Sequence, residues 1–178
     1  MSRENIESRN EPVAGEKLIE LRVNSQVYVL RVGRGPGELD PAHTLAFTLR
    51  ETLGLTGTKV SCDKGACGGC TVLREAEAVL SCMLLTIECG GKEITTIEGL
   101  KDAKTGALDP LQQSFIDHSA FQCGYCTPGM IMSSKALLTA NPSPAEEEIK
   151  EALSGNFCRC ISQYQVVEAV KAVSGKKG

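Results

Sequence analysis

Tryptophan is absent from this 178-residue chain, and aromatic residues make up only 4% of it. Its cores must therefore be aliphatic, and bound groups are expected to contribute to its stability. Only two histidines occur, His43 and His118. Both are read as surface or helix residues, so a histidine-based centre has little to draw on. No stretch approaches the apolar length needed to span a bilayer. Residues 1–16 are polar, lack the apolar segment of a secretion signal, and are read as a disordered tail, so a cytoplasmic location is expected. Lys and Arg (19) nearly balance Asp and Glu (22) for a formal charge of −3, with no basic stripe, which argues against nucleic-acid binding. Also missing are a G-x-x-x-x-G-K phosphate loop, a dinucleotide fingerprint and a Ser/His/Asp set. Gly33-Arg-Gly-Pro-Gly37 is read as a connecting loop, because no Lys-Ser/Thr follows and Pro36 lacks an N–H. No catalytic residue is expected in this chain.

What the chain does hold is cysteine, nine in all, eight of them in two groups of four. Cys62, Cys67, Cys70 and Cys82 have the C-x4-C-x2-C…C spacing of plant-type [2Fe-2S] sites. Three thiolates on one loop require a sharply turning backbone, and Gly65, Gly68 and Gly69 remove the Cβ atoms that would obstruct it. Loop amides are then free to point at the sulfurs. Cys89, in an apolar run, is read as a buried free thiol and is the main rival to Cys82 as fourth ligand.

Cys123, Cys126, Cys158 and Cys160 form the second group, as Cys-x2-Cys and Cys-x-Cys on separate turns. By itself this group suits structural zinc about as well as iron–sulfur. A plant-type loop in the same chain favours iron–sulfur, since two redox centres make an electron relay. A disulfide framework fits poorly with an odd count and no secretion signal. Two oxidised [2Fe-2S] centres with their thiolates would lower the net charge to about −7.

The pattern of the chain predicts an α+β fold in two parts. Lys17 to Val23 and Gln26 to Val32 alternate apolar and polar residues around Asn24-Ser25, a hairpin. Thr44 to Leu53 reads as a helix with Leu45, Leu49 and Leu53 on one face, ended by Gly54. Further strands are expected at Thr71–Leu73, Val79–Leu80, Leu84–Glu88 and Glu93–Ile97. From Asp109 onward the pattern is helical: Pro110 at a start with Leu111, Phe115 and Ile116 inward, then Gly129 to Ala140. A third helix is expected with Ser143 as N-cap, Pro144 at its first position and Glu146 closing a capping box, so its acidic first turn is structural. It stops at Gly155-Asn156, and Gln165 to Val173 forms the last, with Val166, Val167 and Val170 inward.

Three motifs carry a resemblance over residues 17 to 173: Gly57-Thr-Lys-Val-Ser-Cys62-Asp-Lys-Gly-Ala-Cys67-Gly-Gly-Cys70-Thr-Val, Gln122-Cys123-Gly-Tyr-Cys126-Thr-Pro-Gly-Met, and Gly155-Asn-Phe-Cys158-Arg-Cys160. The chain resembles the small iron–sulfur subunit of the xanthine oxidase, or molybdenum hydroxylase, family. The resemblance implies an N-terminal β-grasp, ferredoxin-like [2Fe-2S] domain at 17–98, followed by a C-terminal α-helical, four-helix [2Fe-2S] domain at 99–178. It implies a large molybdopterin-binding subunit, with a cofactor of the cytosine dinucleotide type, a medium FAD-binding subunit, and a dimer of heterotrimers. Electrons would pass from molybdenum through the helical-domain cluster and the β-grasp cluster to the flavin. Gln122 would hydrogen-bond the pterin, and Cys160 would approach it. Tyr125 is expected to pack rather than carry electrons, and Arg159 either to pair with the cluster's negative charge, to face a partner, or equally to be a solvated surface residue. The connector Arg74-Glu-Ala-Glu-Ala78 departs from the family, where a glycine-containing turn is common, and so does the extended Gly33 to His43 loop. A freestanding two-cluster ferredoxin and a zinc-stapled interaction module are the competing readings.

Overall fold

Asn24 and Ser25 both take left-handed backbone, φ 53° and 64°, and the chain reverses there in a two-residue turn. The reversal pairs β1 (Lys17–Val23) with β2 (Gln26–Val32) in an antiparallel register running from Lys17↔Val32 to Val23↔Gln26. The computed structural model describes residues 17–175, so the tail expected at 1–16 lies outside the described residues.

Three further strands complete a mixed sheet: β3 (Thr71–Arg74), β4 (Glu77–Leu80) and β5 (Glu93–Thr95), in the order β2-β1-β5-β3-β4. Only β1 and β5 run parallel, joined through Arg22↔Glu93 and Val23↔Ile94. The β3–β4 turn has no glycine. Glu75 and Ala76 instead occupy left-handed backbone at φ 51° and 72°, an uncommon conformation for residues that carry a Cβ. The stretch Leu84–Glu88, expected as a strand, is not one: it makes a single bridge, Thr44↔Leu85, and continues as a 3-10 turn at Thr86–Cys89. The Glu88 carboxylate accepts the Leu85 N–H at 3.2 Å, tightening the chain into that turn.

The helix expected at Thr44–Leu53 divides. Thr44 Oγ1 caps α1 (Leu45–Phe47), and Thr48–Thr52 continues as a π-helical turn, closed by Leu53 N–H on the Thr48 carbonyl at 2.9 Å. Thr48 Oγ1 lies 2.7 Å from Thr86 Oγ1 in the interior. Leu45 and Leu49 are buried with Leu21, Val23, Val72, Cys89 and Ile94, forming the expected aliphatic core. In the Gly33–Gly37 loop the Gly35 N–H is taken by the Glu38 carboxylate at 2.7 Å, and Gly33 N–H by the Leu39 carbonyl at 3.0 Å. Those amides are satisfied internally, as a connecting loop requires.

Four helices follow: α2 (Pro110–Asp117), α3 (Thr127–Ala140), α4 (Glu146–Leu153) and α5 (Gln163–Lys171). Asp109 and Gln112 cap α2 reciprocally, through Leu111 N–H on Asp109 at 2.9 Å and Asp109 N–H on Gln112 at 3.0 Å. Leu111 and Phe115 face inward, whereas Ile116, expected with them, is exposed. α4 starts later than expected. Asn141 Oδ1 accepts the Ser143 N–H in a turn, and Ala145 becomes the N-cap, with its N–H held by Glu148 at 2.7 Å. Ser162 caps α5, whose Val166, Val167 and Val170 are buried with Leu111, Phe115, Ile149 and Leu153. Among the described residues no helix is long and apolar enough to cross a membrane.

The first half of α3 is buried on all sides, from Gly129 to Ser134. It packs on β3 and β4 from one side and on α2 and α4 from the other. The fold is α+β, with one helix wedged against the sheet.

Candidate metal centres

Between Cys62 and Cys70 the backbone turns through left-handed conformations at Asp63 (φ 51°), Gly65 (72°) and Gly68 (69°). Gly69, expected to be equally necessary, has ordinary backbone, and a Cβ there would make only normal contacts. The turns aim amides at sulfur. Ala66 N–H lies 3.3 Å from Cys62 Sγ, and the Lys64 N–H, then the Cys67 thiol, hold Cys62 down to about 7. Burial pushes Cys70 up to about 11, with the neighbouring Cys82 thiol adding to it. Cys70, Cys82 and Ala46 pack in one small buried group, against which Val60 and Leu80 lean. Ser81 Oγ donates to the Cys70 carbonyl at 2.7 Å, fixing β4's exit beside the loop. Cys89 is elsewhere: it is fully buried among the aliphatic side chains of the sheet core.

The second group assembles at the start of α3 and just before α5. Cys160 Sγ lies 3.9 Å from Cys123 Sγ. Cys126 is paired with Cys158 and is pushed up to about 12, chiefly by burial and then by that neighbour. Burial opposes ionisation of Cys158 too, but the amides of Ile161 and Cys160, each 3.4 Å from its sulfur, and the Cys126 thiol outweigh it and lower its pKa. Cys160 is raised by the Cys123 thiol beside it.

Among the described residues, no three His, Cys, Asp or Glu side chains converge as the ligands of one ion would. Cys62 neighbours Cys67 and Cys70 neighbours Cys82, while in the second group Cys123 neighbours Cys160, and Cys158 neighbours both Cys126 and Cys160. A two-iron cluster takes thiolates in two pairs, one on each iron, whereas structural zinc takes four on a single centre. Each group supplies the four thiolates that a [2Fe-2S] cluster takes, so both donor sets fit such a group.

The loops of the two groups are joined directly. Phe157 N–H donates to the Cys67 carbonyl at 2.9 Å, and Asn156 Nδ2 to the Gly68 carbonyl at 3.0 Å. Tyr125 OH donates to the Val60 carbonyl at 2.6 Å. The approach is close enough to require glycine on both sides. A Cβ at Gly68 would stand 2.5 Å from the Gly155 carbonyl oxygen, and one at Gly129 would run into the Gly68 carbonyl.

Gln122, Cys123, Arg159 and Cys160 all lie at the surface, so the second group has an open side. Phe121, Tyr125, Phe157 and Tyr164 are exposed aromatics close to it in the chain. His118 Nδ1 is bonded to the Ser114 carbonyl at 2.9 Å, and the His43 ring stacks on Phe47 with centroids 4.1 Å apart, so both serve local structure. Sequence patterns did not disclose the roles of Asn156, Gly129 or Tyr125. Asn156 reads as a helix stop and Gly129 as a helix start, and their partners lie in a loop more than fifty residues away.

Residues 96–171 match the [2Fe-2S] binding domain family. The chain is 49% identical to the nicotine 6-hydroxylase small subunit of Paenarthrobacter nicotinovorans, over 79% of this chain and 83% of that protein. It is 45% identical to the nicotinate dehydrogenase small FeS subunit of Eubacterium barkeri, over 74% and 83%. Among solved structures, quinoline 2-oxidoreductase from Pseudomonas putida 86 superposes with a TM-score of 0.79 at 37% identity, covering 89% of this chain and 92% of the other. Together with the two four-cysteine groups, this similarity along most of its length means that the chain belongs to the family of small iron–sulfur subunits of molybdenum hydroxylases.

Proposed function

We propose that this chain relays electrons within a molybdopterin-dependent dehydrogenase or hydroxylase through two [2Fe-2S] sites. The observation that carries the reading is the direct bonding of the two cysteine loops, Phe157 N–H on the Cys67 carbonyl at 2.9 Å, with a four-cysteine group on either side. Cys62, Cys67, Cys70 and Cys82 hold one cluster, and Cys123, Cys126, Cys158 and Cys160 the other. When bound, such a cluster takes up and gives back one electron at a time. The protein's part is to supply thiolates, aim loop amides at them, and hold the two loops together.

The first site belongs to a β-grasp unit, 17–98, and the second to a four-helix unit, 99–178. The proposed boundary falls within the 3-10 turn Ile97–Leu100, whose two apolar ends lean on the helical core. Gln122 and Cys160, exposed at the open side of the second site, face the pterin of a large subunit, with the cytosine dinucleotide form as its cofactor. A medium subunit with FAD lies toward the first site, and the whole is a cytoplasmic dimer of heterotrimers. Exposure of Gln122, Cys123 and Cys160 supports this orientation. Substrate choice lies with the large subunit, since this chain has no catalytic set.

Iron and acid-labile sulfide analysis with EPR tests the reading. The purified protein is expected to be brown, to carry four irons per chain by the two-cluster assignment, about 2 in each site, and to give two distinct [2Fe-2S] signals on reduction. Stoichiometric zinc in the second group would overturn that assignment. Purification without any molybdenum-containing partner would favour a freestanding ferredoxin.

A further inference from the structure

The segment leading into Cys62, residues 56–60, has no strand partner, so its carbonyls depend on side-chain donors. Arg50 Nη1 donates to the Thr56 carbonyl at 3.0 Å and to the Thr58 carbonyl at 2.7 Å, and Lys59 Nζ to Thr56 at 2.7 Å. The next carbonyl in this alternation, Val60, takes its donor from outside the sheet-bearing part. It accepts the Tyr125 hydroxyl at 2.6 Å, across a sequence separation of 65 residues.

Tyr125 stands between Cys123 and Cys126, two members of the second group. Val60 packs on the buried group of Ala46, Cys70 and Cys82, which includes two members of the first. One phenol thus grips the backbone of a residue whose side chain leans on the opposite site. The Tyr125 residue is 48% exposed, so its ring contributes limited burial, while its hydroxyl makes a short bond.

We propose that Tyr125 is a positioning residue for the first cysteine group. Its hydroxyl, through the Val60 carbonyl, fixes the approach to Cys62 and the packing of Cys70 and Cys82. The consequence is crossed: changing a residue flanked by the ligands of one site alters the other. This inference rests on reading the two groups as separate [2Fe-2S] sites.

The test compares Y125F, which removes only the oxygen, with Y125A in the full-length iron-loaded protein. The two EPR signals are first assigned with C62S and C123S. In Y125F we expect unchanged iron content, an unchanged signal from the Cys123 site, and a shifted or broadened signal from the Cys62 site. Backbone hydrogen exchange at residues 58–62 should rise about fivefold, as loss of one hydrogen bond implies. Wild-type exchange and spectra in Y125F, with a change only in Y125A, would assign the role to ring packing and overturn the proposal. A change confined to the Cys123 site would overturn it as well. A wild-type protein without two iron–sulfur signals would instead refute the two-site reading, and the exchange comparison at residues 58–62 would still decide whether the hydroxyl holds the loop.

Discussion

The amide of Phe157 donates to the carbonyl of Cys67 at 2.9 Å, so the residue just before Cys158 is bonded to a member of the other cysteine group. With Asn156 on Gly68 and Tyr125 on Val60, the two loops form one hydrogen-bonded unit, and Gly129 of α3 packs against the first of them at Gly68. Neither loop has regular secondary structure of its own, so each depends on the other and on whatever its sulfurs bind.

Stripping the clusters should loosen this unit and spare the rest. Without bound metal, amide exchange is expected to accelerate at residues 58–70 and 156–162. The β1–β2 hairpin should stay protected, because Leu21, Val23, Leu45 and Leu49 form a core that needs no cysteine ligand. Hydrogen-exchange mass spectrometry of holo- and apo-protein reads this directly, and uniform loss of protection would contradict it.

Gly129→Ala should destabilise the fold by about 1–3 kcal/mol, since the added methyl meets backbone and cannot be relieved by a rotamer change. The carbonyl it strikes is that of Gly68, between Cys67 and Cys70. Gly155→Ala is the control: a Cβ there meets nothing within 4 Å, and a change below about 0.5 kcal/mol is expected. Denaturant unfolding of the two variants under the same conditions gives the comparison.

Cys82→Ser and Cys89→Ala should separate a ligand from a core residue. Loss of Cys82 is expected to abolish the first site's signal and leave the second. Loss of Cys89, buried in the sheet core, should keep full iron content and cost about 1 kcal/mol of stability. Iron analysis with thermal unfolding distinguishes them, and a loss of iron in the Cys89 variant would reverse the assignment.

Cluster assembly should strengthen with rising pH. Cys70 at about 11 and Cys126 at about 12 are protonated at neutral pH, and each must lose its proton to bind iron. Apparent affinity therefore rises as pH increases from 7 to 9 and falls as it decreases, while Cys62 at about 7 adds its dependence only near and below neutrality. Reconstitution followed by visible absorption across this range checks the sign. A pH-independent yield would show that these thiols do not limit assembly.

Much of this protein is legible locally. The cysteine spacing, the hairpin at Asn24-Ser25, the positive-φ glycines 65 and 68, and the inward valines of α5 each depend on residues a few positions apart. Their physical cause is short-range: backbone sterics, alternation and helical periodicity. The errors were local too, where a side chain competed for the backbone. Glu88 turned an expected strand into a 3-10 turn, and Asn141 with Glu148 moved the start of α4.

Sequence by itself determined that the chain carries two four-cysteine groups and an aliphatic α+β fold, because composition and spacing are properties of the chain. Only the tertiary structure decided that Cys82 rather than Cys89 stands beside Cys70, that Cys160 Sγ comes within 3.9 Å of Cys123 Sγ, and that the two loops bond to each other. Those facts rest on contacts such as Gly68 with Asn156, 88 residues apart, which form only when α3 is packed between sheet and helices. No local preference encodes such a meeting; packing does.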